Sequence, residues 1–431
     1  MVNRMRPTPD VDTWLVLTQY YPPEIGAPQI RLRCLVRELQ RHGKAVLVRT
    51  AMPSYPEGRI HSGYRGQLFR TELIDNVEVR RTWAFAATGK STLMRLLNYC
   101  CFALTVLPAV LFGARPDVCF VEAQPLPLGI VALLLKLFRG VPYIYNVPDL
   151  QVDVARDLGF LRSSSALSAA RKLETLLLRN AMSVSTVSVG FMNHMRDRGV
   201  SADRITFLPN GADTNLMQPR SPESSMIERF GVKRKFTFVY VGTHAFYHGL
   251  DTLVAAAELL KEDPTIRILM VGHGPERDRI RQLVEAKALP NVVFGEVPYE
   301  ETAELYSIAH AALAMLRNLP VAEGMRLSKI FPALSCGVPV IYSGAGEAAD
   351  LLTVHGCGLV TPPEDAAALA TTIRSLASNP TFRNELGARG RQYVEEQYSW
   401  STIVERWLAA LSGLRAGPRE SLPIQQPTAA D

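Results

Sequence analysis

The stretch 14–50, WLVLTQYYPPEIGAPQIRLRCLVRELQRHGKAVLVRT, decides the fold class of this chain. Its two ends, WLVLT and AVLVRT, are short apolar runs that predict buried strands, and residues 29–41 between them place apolar side chains at helical spacing. Gly26 precedes this helix, and Gly43 follows it as a helix-termination signal. Strand, loop, helix, glycine and strand form a βαβ unit, which predicts a parallel sheet that binds ligands at its carboxyl edge.

The same alternation continues in two series and predicts an α/β protein with two Rossmann-like domains and parallel sheets facing an interdomain cleft. The first series has further strands at 117–121, 143–147, 183–187 and 204–208. The second series has strands at 236–241, 266–271, 292–294, 311–315 and 338–342. We therefore expect domains at 13–212 and 218–396, a helix at 397–413 that crosses back to the first domain, and a disordered tail at 414–431.

Composition describes a globular protein that favours acidic partners. The chain has 431 residues, 47% of them hydrophobic and 20% charged, with a net charge of +6. Its six cysteines show no zinc-ligand spacing, which favours reduced thiols in a cytosolic protein, and the N-terminus lacks the apolar core of a signal peptide. Residues 84–91, AFAATGKS, depart from a P-loop at the first glycine, and no motif of a nucleic-acid-binding protein is present.

One apolar segment, residues 93–113, has two interpretations. Its charge-free core, 96–113, is short for a comfortable membrane span but too apolar all round for an exposed helix. A second apolar run lies at 126–138. These segments are either buried domain helices or a monotopic contact with the inner face of a membrane. Nearby cations favour the second interpretation: Lys90, Arg95, Arg115, Lys136 and Arg139.

The stretch 323–344, EGMRLSKIFPALSCGVPVIYSG, predicts a helix at 325–336 followed by a buried strand. A helix N-terminus beside a strand end attracts an anion through its free N–H groups and its dipole. Glu323 precedes this helix, and Arg326 and Lys329 fall in its first turns. This pattern indicates either a site for a sugar on a diphosphate or a surface helix with solvated charges.

Several longer signatures follow one another along the chain. YYPPEIGAP follows the first strand, FLPNGAD lies at the domain junction, and YVGTHAFYHGLDTLVAAAELL opens the second half, before MVGHGPERDRIRQL, NVVFGEVPYEETAELYSIAHAAL and SCGVPVIYS. In this order they resemble the family-4 retaining glycosyltransferases of the GT-B fold, over residues 13–412. NYCCFAL and YIYNVPDLQVDVARDLG are most similar to the branch that builds capsular, exopolysaccharide or O-antigen repeats.

The resemblance implies transfer of a hexose from a nucleotide-diphosphate sugar to a hydroxyl of a glycan or of a polyprenyl-diphosphate-linked saccharide. It implies retention of configuration and catalysis without a metal ion. It implies no cofactor either, since the nucleotide sugar is a substrate. The N-terminal domain would bind the acceptor. The protein would be cytoplasmic and peripheral on the cell membrane, without a nucleic-acid partner.

The resemblance also implies the site residues. Glu323 is the candidate for the first glutamate of the family motif, beside the donor sugar hydroxyls. Asp149, after a strand of the first domain, either binds a sugar or caps a helix. The donor would contact Gly26, Gly242, Thr243, His248, Gly249, Gly274, Arg277, Val297, Pro298, Gly324, Met325, Arg326, Ser328, Lys329 and Glu347.

Two departures from the family pattern bear on this site. Pro332 stands where the family has the second glutamate, so the ribose contact is missing or comes from another group such as Glu347. His248 stands where the family has a lysine, and Thr243 lies near the position of a family arginine. The diphosphate charge would then be met by Arg326, by Lys329 or by a protonated His248, unless His248 only caps a helix.

Two other functions fit the same architecture. A non-hydrolysing nucleotide-sugar 2-epimerase also has two Rossmann-like domains, and it would need no acceptor. A catalytically weak binding subunit of a polysaccharide assembly complex is compatible with Pro332.

Overall fold

The structure is a computed structural model that describes residues 12–24, 26–55, 58–86, 92–150, 152–153, 156, 163–319 and 324–415. Its contacts divide the chain into two compact units. Unit 1 comprises the described residues up to Leu208 together with those from Val404 onward, and unit 2 runs from Pro209 to Ile403. From residue 416 on, the predicted tail lies outside the described residues, as does Glu323.

Unit 1 contains an eight-stranded sheet in the order β3-β4-β2-β1-β5-β6-β7-β8. The strands are β1 Thr13–Leu17, β2 Ala45–Ala51, β3 Phe69–Ile74, β4 Val77–Thr82, β5 Val118–Glu122, β6 Tyr143–Val147, β7 Ser183–Thr186 and β8 Ile205–Phe207. Trp14 pairs in parallel with Val46, which confirms the predicted βαβ unit.

The hairpin of β3 and β4 was absent from the prediction. It is the antiparallel edge of the sheet, and its turn residues Asp75 and Asn76 both have positive φ angles, 49° and 62°. Aspartate and asparagine tolerate this conformation, which matches the twist of a two-residue hairpin. The turn could therefore have been predicted from these two residues.

The helices of unit 1 cover both faces of its sheet. Among the described residues before Pro209 they are α1 Ala27–Arg41, α2 Thr92–Leu111, α3 Pro127–Arg139, α4 Ser164–Asn180 and α5 Val189–Asp197. Every residue of β5 and β6 is buried, as expected for parallel strands that are covered on both sides.

Unit 2 contains six parallel strands in the order β11-β10-β9-β12-β13-β14. They are β9 Phe236–Val241, β10 Ile266–Val271, β11 Val292–Gly295, β12 Ala311–Met315, β13 Val340–Ser343 and β14 Gly358–Thr361. The described helices before, between and after them are α6 Ser224–Phe230, α7 Leu250–Leu259, α8 Arg277–Ala286, α9 Thr302–Ser307, α10 Ile330–Ser335, α11 Glu347–Val354, α12 Ala366–Ser378 and α13 Pro380–Gln397. A parallel sheet in unit 2 and a sheet in unit 1 that is parallel except at the β3 edge, both with helices on them, confirm the predicted α/β fold class.

The last described helix, α14 Trp400–Arg415, begins in unit 2 and continues into unit 1. In unit 1 the Trp407 ring contacts Trp14 and Phe120 edge to face, and its Nε1 donates a hydrogen bond to Ser185 Oγ at 3.0 Å. A buried tryptophan contributes a large apolar contact area, and here the polar N–H of Trp407 is also satisfied. This packing attaches the C-terminal helix to the first sheet.

The helix predicted at 325–336 begins only at Ile330. Pro332 explains the difference, because proline has no N–H and its ring clashes with the turn that precedes it in a helix interior. It fits as the third residue of a helix but not as the eighth. Met325 and Arg326 therefore lie in a loop, and the prediction that a helix begins at residue 325 is wrong. Their contacts with the donor stay predictions.

Candidate active site

The candidate site of unit 2 lies where its strand order reverses. From β9 the chain proceeds outward through β10 and β11, whereas β12 returns to the other side of β9 and continues through β13 and β14. The crossovers on the two sides of such a switch point lie on opposite faces, which opens a crevice at the carboxyl ends of the two central strands. The loops after β9 and β12 border this crevice.

Glycines allow two of the loops at this edge to lie backbone against backbone. Gly242, Gly272 and Gly274 have φ angles of 134°, 133° and 150°. A Cβ atom added to Gly274 would lie 2.6 Å from the backbone nitrogen of His244. The His244 N–H donates to the His273 carbonyl at 2.7 Å, so the loop after β9 is held by the loop after β10. Only glycine combines these φ angles with so close an approach.

Lys329, the residue before α10, extends its ammonium to the end of β9. Its Nζ donates to Tyr240 Oη at 2.8 Å, lies 4.1 Å from the centroid of that ring, and is 3.4 Å from a Cβ built on Gly242. Tyr240 Oη in turn donates to the Thr243 carbonyl at 2.6 Å. A cation therefore stands against the glycine loop at the switch point.

His248 is the third member of this cluster. Its Nδ1 lies 3.1 Å from the Met315 carbonyl, which can only accept, so Nδ1 carries the proton and Nε2 accepts from Lys329 Nζ at 3.4 Å. Burial lowers the pKa of His248 well below its usual value, and the Lys329 charge lowers it further. The imidazole is therefore neutral without a ligand, and a protonated His248 that meets the diphosphate stays a prediction.

Burial also lowers the pKa of Lys329 to about 7. The side chain is half-buried, and its ammonium contacts the ring and hydroxyl of Tyr240 and the imidazole of His248. Such surroundings leave the positive charge incompletely compensated. An anion bound in the crevice would stabilise that charge and raise the pKa again.

His244 was missed by the sequence analysis although it stands in GTHAFYHG. It is fully buried, and neither ring nitrogen has a hydrogen-bond partner in the part of the chain that the structure describes. Its ring lies 5.5 Å from that of Tyr240, and burial lowers its pKa to about 4. A neutral imidazole with one donor and one acceptor is thus available beside the glycine loop.

Arg326 and Glu347, both predicted as donor contacts, are paired with each other. Arg326 Nη2 forms an ion pair with Glu347 Oε1, and Nη1 donates to Tyr398 Oη at 2.6 Å. Arg326 is buried, and Glu347 is the first residue of α11, where a carboxylate also complements the helix dipole. The guanidinium is engaged in this internal network, so Lys329 is the better candidate for the diphosphate cation.

The loops after β10 and β11 place three charged or titratable groups together. Glu296 forms ion pairs with Arg277 at 2.5 Å and with His273 at 2.8 Å. Burial raises the pKa of Glu296, but the hydrogen bond from Arg277 and the charge of His273 outweigh burial and lower it. Val297 packs onto the apolar core of unit 2. This edge is where the resemblance places the nucleotide base.

The remaining predicted contacts of unit 2 are backbone or loop positions. Gly249 has a φ angle of 59° and stands before α7, and Pro298 is exposed before a single 3₁₀ turn. Gly324, Met325 and Ser328 are half-buried in the loop that leads to α10. Their roles as donor contacts stay predictions.

Unit 1 has its own switch point between β1 and β5, with polar side chains at the carboxyl edge. Asp149 follows β6, and Gln124 Nε2 donates to its Oδ2 at 3.4 Å. Burial raises the pKa of Asp149, and its Oδ1 has no partner among the described residues. Gln19 Oε1 and Asn146 Oδ1 are likewise buried and unpaired there. Gly26 stands before α1 in an extended conformation, and its loop follows β1.

Two family descriptions match the chain, one for each half. Residues 26–211 match the glycosyl transferase 4-like domain, and residues 225–393 match the glycosyl transferases group 1. A similar protein is the putative colanic acid biosynthesis glycosyl transferase WcaI of Escherichia coli, 23% identical over 91% of this chain and 98% of that protein. A GDP-mannose-dependent phosphatidylinositol monomannoside mannosyltransferase of Mycolicibacterium smegmatis is 27% identical over 93% and 98% of the two chains.

Solved structures agree on the fold. The sucrose-phosphate synthase of Thermosynechococcus elongatus superposes with a TM-score of 0.72 at 23% identity, covering 94% of this chain and all of that one. HepE of Anabaena, in complex with UDP and glucose, gives a TM-score of 0.69 at 19% identity over 93% and 99%. With both halves matched in order and both sheets in place, the chain belongs to the family-4 glycosyltransferases of the GT-B fold.

Proposed function

We propose that this glycosyltransferase moves a hexose, with retention of configuration, from a nucleotide-diphosphate sugar to a hydroxyl of a glycan or lipid-linked saccharide in cell-surface polysaccharide biosynthesis. The observation that carries the proposal is the Lys329 ammonium, held against Gly242 at the switch point of unit 2. Similar proteins described for colanic acid biosynthesis and for O-antigen mannosyl transfer support the polysaccharide part.

Charge neutralisation at this site explains how the diphosphate leaves. As the bond between the anomeric carbon and the phosphate oxygen breaks, negative charge develops on the phosphate, and the nearby Lys329 cation stabilises it. Gly242 and Gly274 permit backbone N–H groups to approach the same oxygens. A protein cation and backbone donors would supply this stabilisation without a metal ion.

Retention follows if the acceptor attacks the face from which the diphosphate departs. The acceptor oxygen then bonds to the anomeric carbon through an oxocarbenium-like state, and its proton passes to the leaving phosphate oxygen. No protein nucleophile is needed for this route. Glu323 is proposed to bind the donor sugar hydroxyls, and the Glu323→Gln variant tests that role by its effect on donor KM.

The acceptor is proposed to bind at the carboxyl edge of unit 1. The unpaired oxygens of Gln19, Asn146 and Asp149 all accept hydrogen bonds, and sugar hydroxyls supply the donors that they lack. The raised pKa of Asp149 reflects the cost of a carboxylate that is buried without enough donors.

A panel of nucleotide sugars tests the function. We expect slow hydrolysis of one donor without an acceptor, faster turnover with a lipid-linked or free saccharide, and a product anomer that matches the donor by NMR. A matched Lys329→Met variant should lose both activities. Interconversion of nucleotide sugars without an acceptor would show a 2-epimerase, and donor binding without turnover under any condition would show a binding subunit.

A further inference from the structure

Three helices of unit 1 lie side by side on one face of its sheet. They form the crossovers from β4 to β5, from β5 to β6 and from β6 to β7, which all proceed in the same direction across the sheet. Because such crossovers are right-handed, α2, α3 and α4 fall on the same face. Their outward sides form one surface.

Helix α2 is apolar on its outward side as well as on its inward side. Asn98, Phe102, Val106 and Val110 are buried at helical spacing against unit 1, whereas the outward residues are 48–85% exposed. These outward residues are Leu93, Leu97 and Leu104 on the helix, and Phe112 directly after its last residue. The stretch Leu93–Leu111 has the length and hydropathy of a membrane span, yet its buried side attaches it to the domain. The helix therefore exposes its outward apolar side along its length instead of crossing a membrane end to end.

Neighbouring segments extend this apolar surface. Phe85 and Trp83 run beside α2, since Asn98 Nδ2 donates to the Phe85 carbonyl and Thr105 Oγ1 donates to the Trp83 carbonyl at 2.8 Å. Both aromatic rings are exposed. Helix α3 adds exposed side chains at Ile130, Leu137 and Phe138. We call these residues, with the outward residues of α2, the apolar face. Apolar side chains that are exposed together in this way mark an interaction surface.

The exposed charges on the three helices are of one sign. The three helices contain a single acidic residue, Glu174, which is 6% exposed and forms an ion pair with Arg198. Helix α4 instead exposes Lys172 and Arg179 along a shallow groove that Ser168 and Thr175 also line. Cations beside an apolar surface match the headgroups and acyl boundary of an anionic bilayer.

We propose that this face docks unit 1 onto an anionic membrane, with α2 lying in the plane of the headgroups and α4 directing its cations to lipid phosphates. A second copy of the chain fits less well, because a twofold interface would bring the cationic rims together. Membrane docking itself does not depend on the proposed function. Its purpose does, since docking would give the enzyme access to a lipid-linked acceptor.

Flotation with vesicles tests the docking. The full chain should bind vesicles of phosphatidylcholine and phosphatidylglycerol, bind phosphatidylcholine alone at least tenfold more weakly, and be released partly by high salt. The Leu97→Glu/Leu104→Glu variant should lose binding, and Lys172→Ala/Arg179→Ala should weaken it by roughly fivefold per removed cation. Val354→Glu, on an exposed apolar residue of unit 2, is the matched control and should bind normally.

The outcomes separate docking from catalysis. Donor hydrolysis in solution should be unchanged in all three variants, because none of these residues lies in the candidate site. Equal binding to neutral vesicles, no binding, or full binding by the Leu97→Glu/Leu104→Glu variant would overturn the proposal. A dimer that this variant abolishes would assign the face to a second copy. Intact docking with no turnover of any donor would refute the proposed function alone.

Discussion

Replacing Lys329 by methionine is expected to stabilise ligand-free unit 2 while it removes donor binding. Burial lowers the pKa of Lys329 from 10.5 to about 7. At 1.36 kcal/mol for each pKa unit, this shift costs the folded protein about 4 kcal/mol at pH 7, where half of the amine is already deprotonated. Methionine has a similar length and no charge, so the variant avoids this cost.

Part of the gain is offset at His248. Its Nε2 accepts from Lys329 in the native chain and would be left buried without that donor, which costs about 1–3 kcal/mol. Tyr240 keeps its hydrogen bond to the Thr243 carbonyl and loses less. The expected net effect at pH 7 is a variant more stable by about 1–3 kcal/mol.

The free energy of unfolding of the native chain should depend on pH through Lys329. The folded pKa lies below the unfolded one, so between about pH 7 and pH 10.5 the unfolded state binds more protons, and the native protein gains stability as the pH rises. The slope approaches about 1.4 kcal/mol per pH unit within that window and should vanish in Lys329→Met. Lys261→Met, at an exposed lysine, is the control and should leave both stability and slope unchanged.

Urea unfolding followed by circular dichroism at pH 7, 8 and 9 measures both quantities. Donor binding by calorimetry supplies the second readout, which should fall at least a hundredfold in the variant. A Lys329→Met protein that is less stable than the native chain at pH 7, or that keeps its pH slope, would refute this account of Lys329.

Three further changes test the site. Binding of UDP at pH 8 should be accompanied by uptake of part of a proton, because the diphosphate raises the pKa of Lys329. Calorimetry in two buffers of different ionisation enthalpy measures this proton uptake. Zero uptake would place the diphosphate elsewhere. Gly274→Ala should destabilise unit 2 by about 2 kcal/mol or more, through its φ angle and its approach to His244. Gly413→Ala, on the part of α14 that belongs to unit 1, is the control, and it should not destabilise the chain because an added Cβ meets nothing within 4 Å. Pro332→Glu should lower donor KM about tenfold if a glutamate there binds the ribose, and an unchanged KM would contradict that role.

Much of the architecture could be predicted from local patterns. Strand and helix periodicity depends on residues within one turn or one strand, so the two series of alternating elements were identified correctly. The prediction missed one hairpin and misplaced the start of one helix, and local turn and helix rules explain both differences. Asp75 and Asn76 carry the turn signal of the β3–β4 hairpin, and Pro332 prohibits a helix that begins at residue 325.

The chemistry of the site was decided by tertiary structure. Lys329 lies 89 residues from Tyr240 and 81 from His248, and it meets them only because β9 and β12 are neighbours at the switch point. Arg326 looked equally suitable for the diphosphate until its contact with Tyr398, 72 residues away, engaged it internally. Sequence alone determined which residue types and elements this protein has. Strand order decided which side chains are in contact and which are buried away from water. The low pKa of Lys329 follows from that burial, because burial and pairing depend on neighbours that no local pattern specifies.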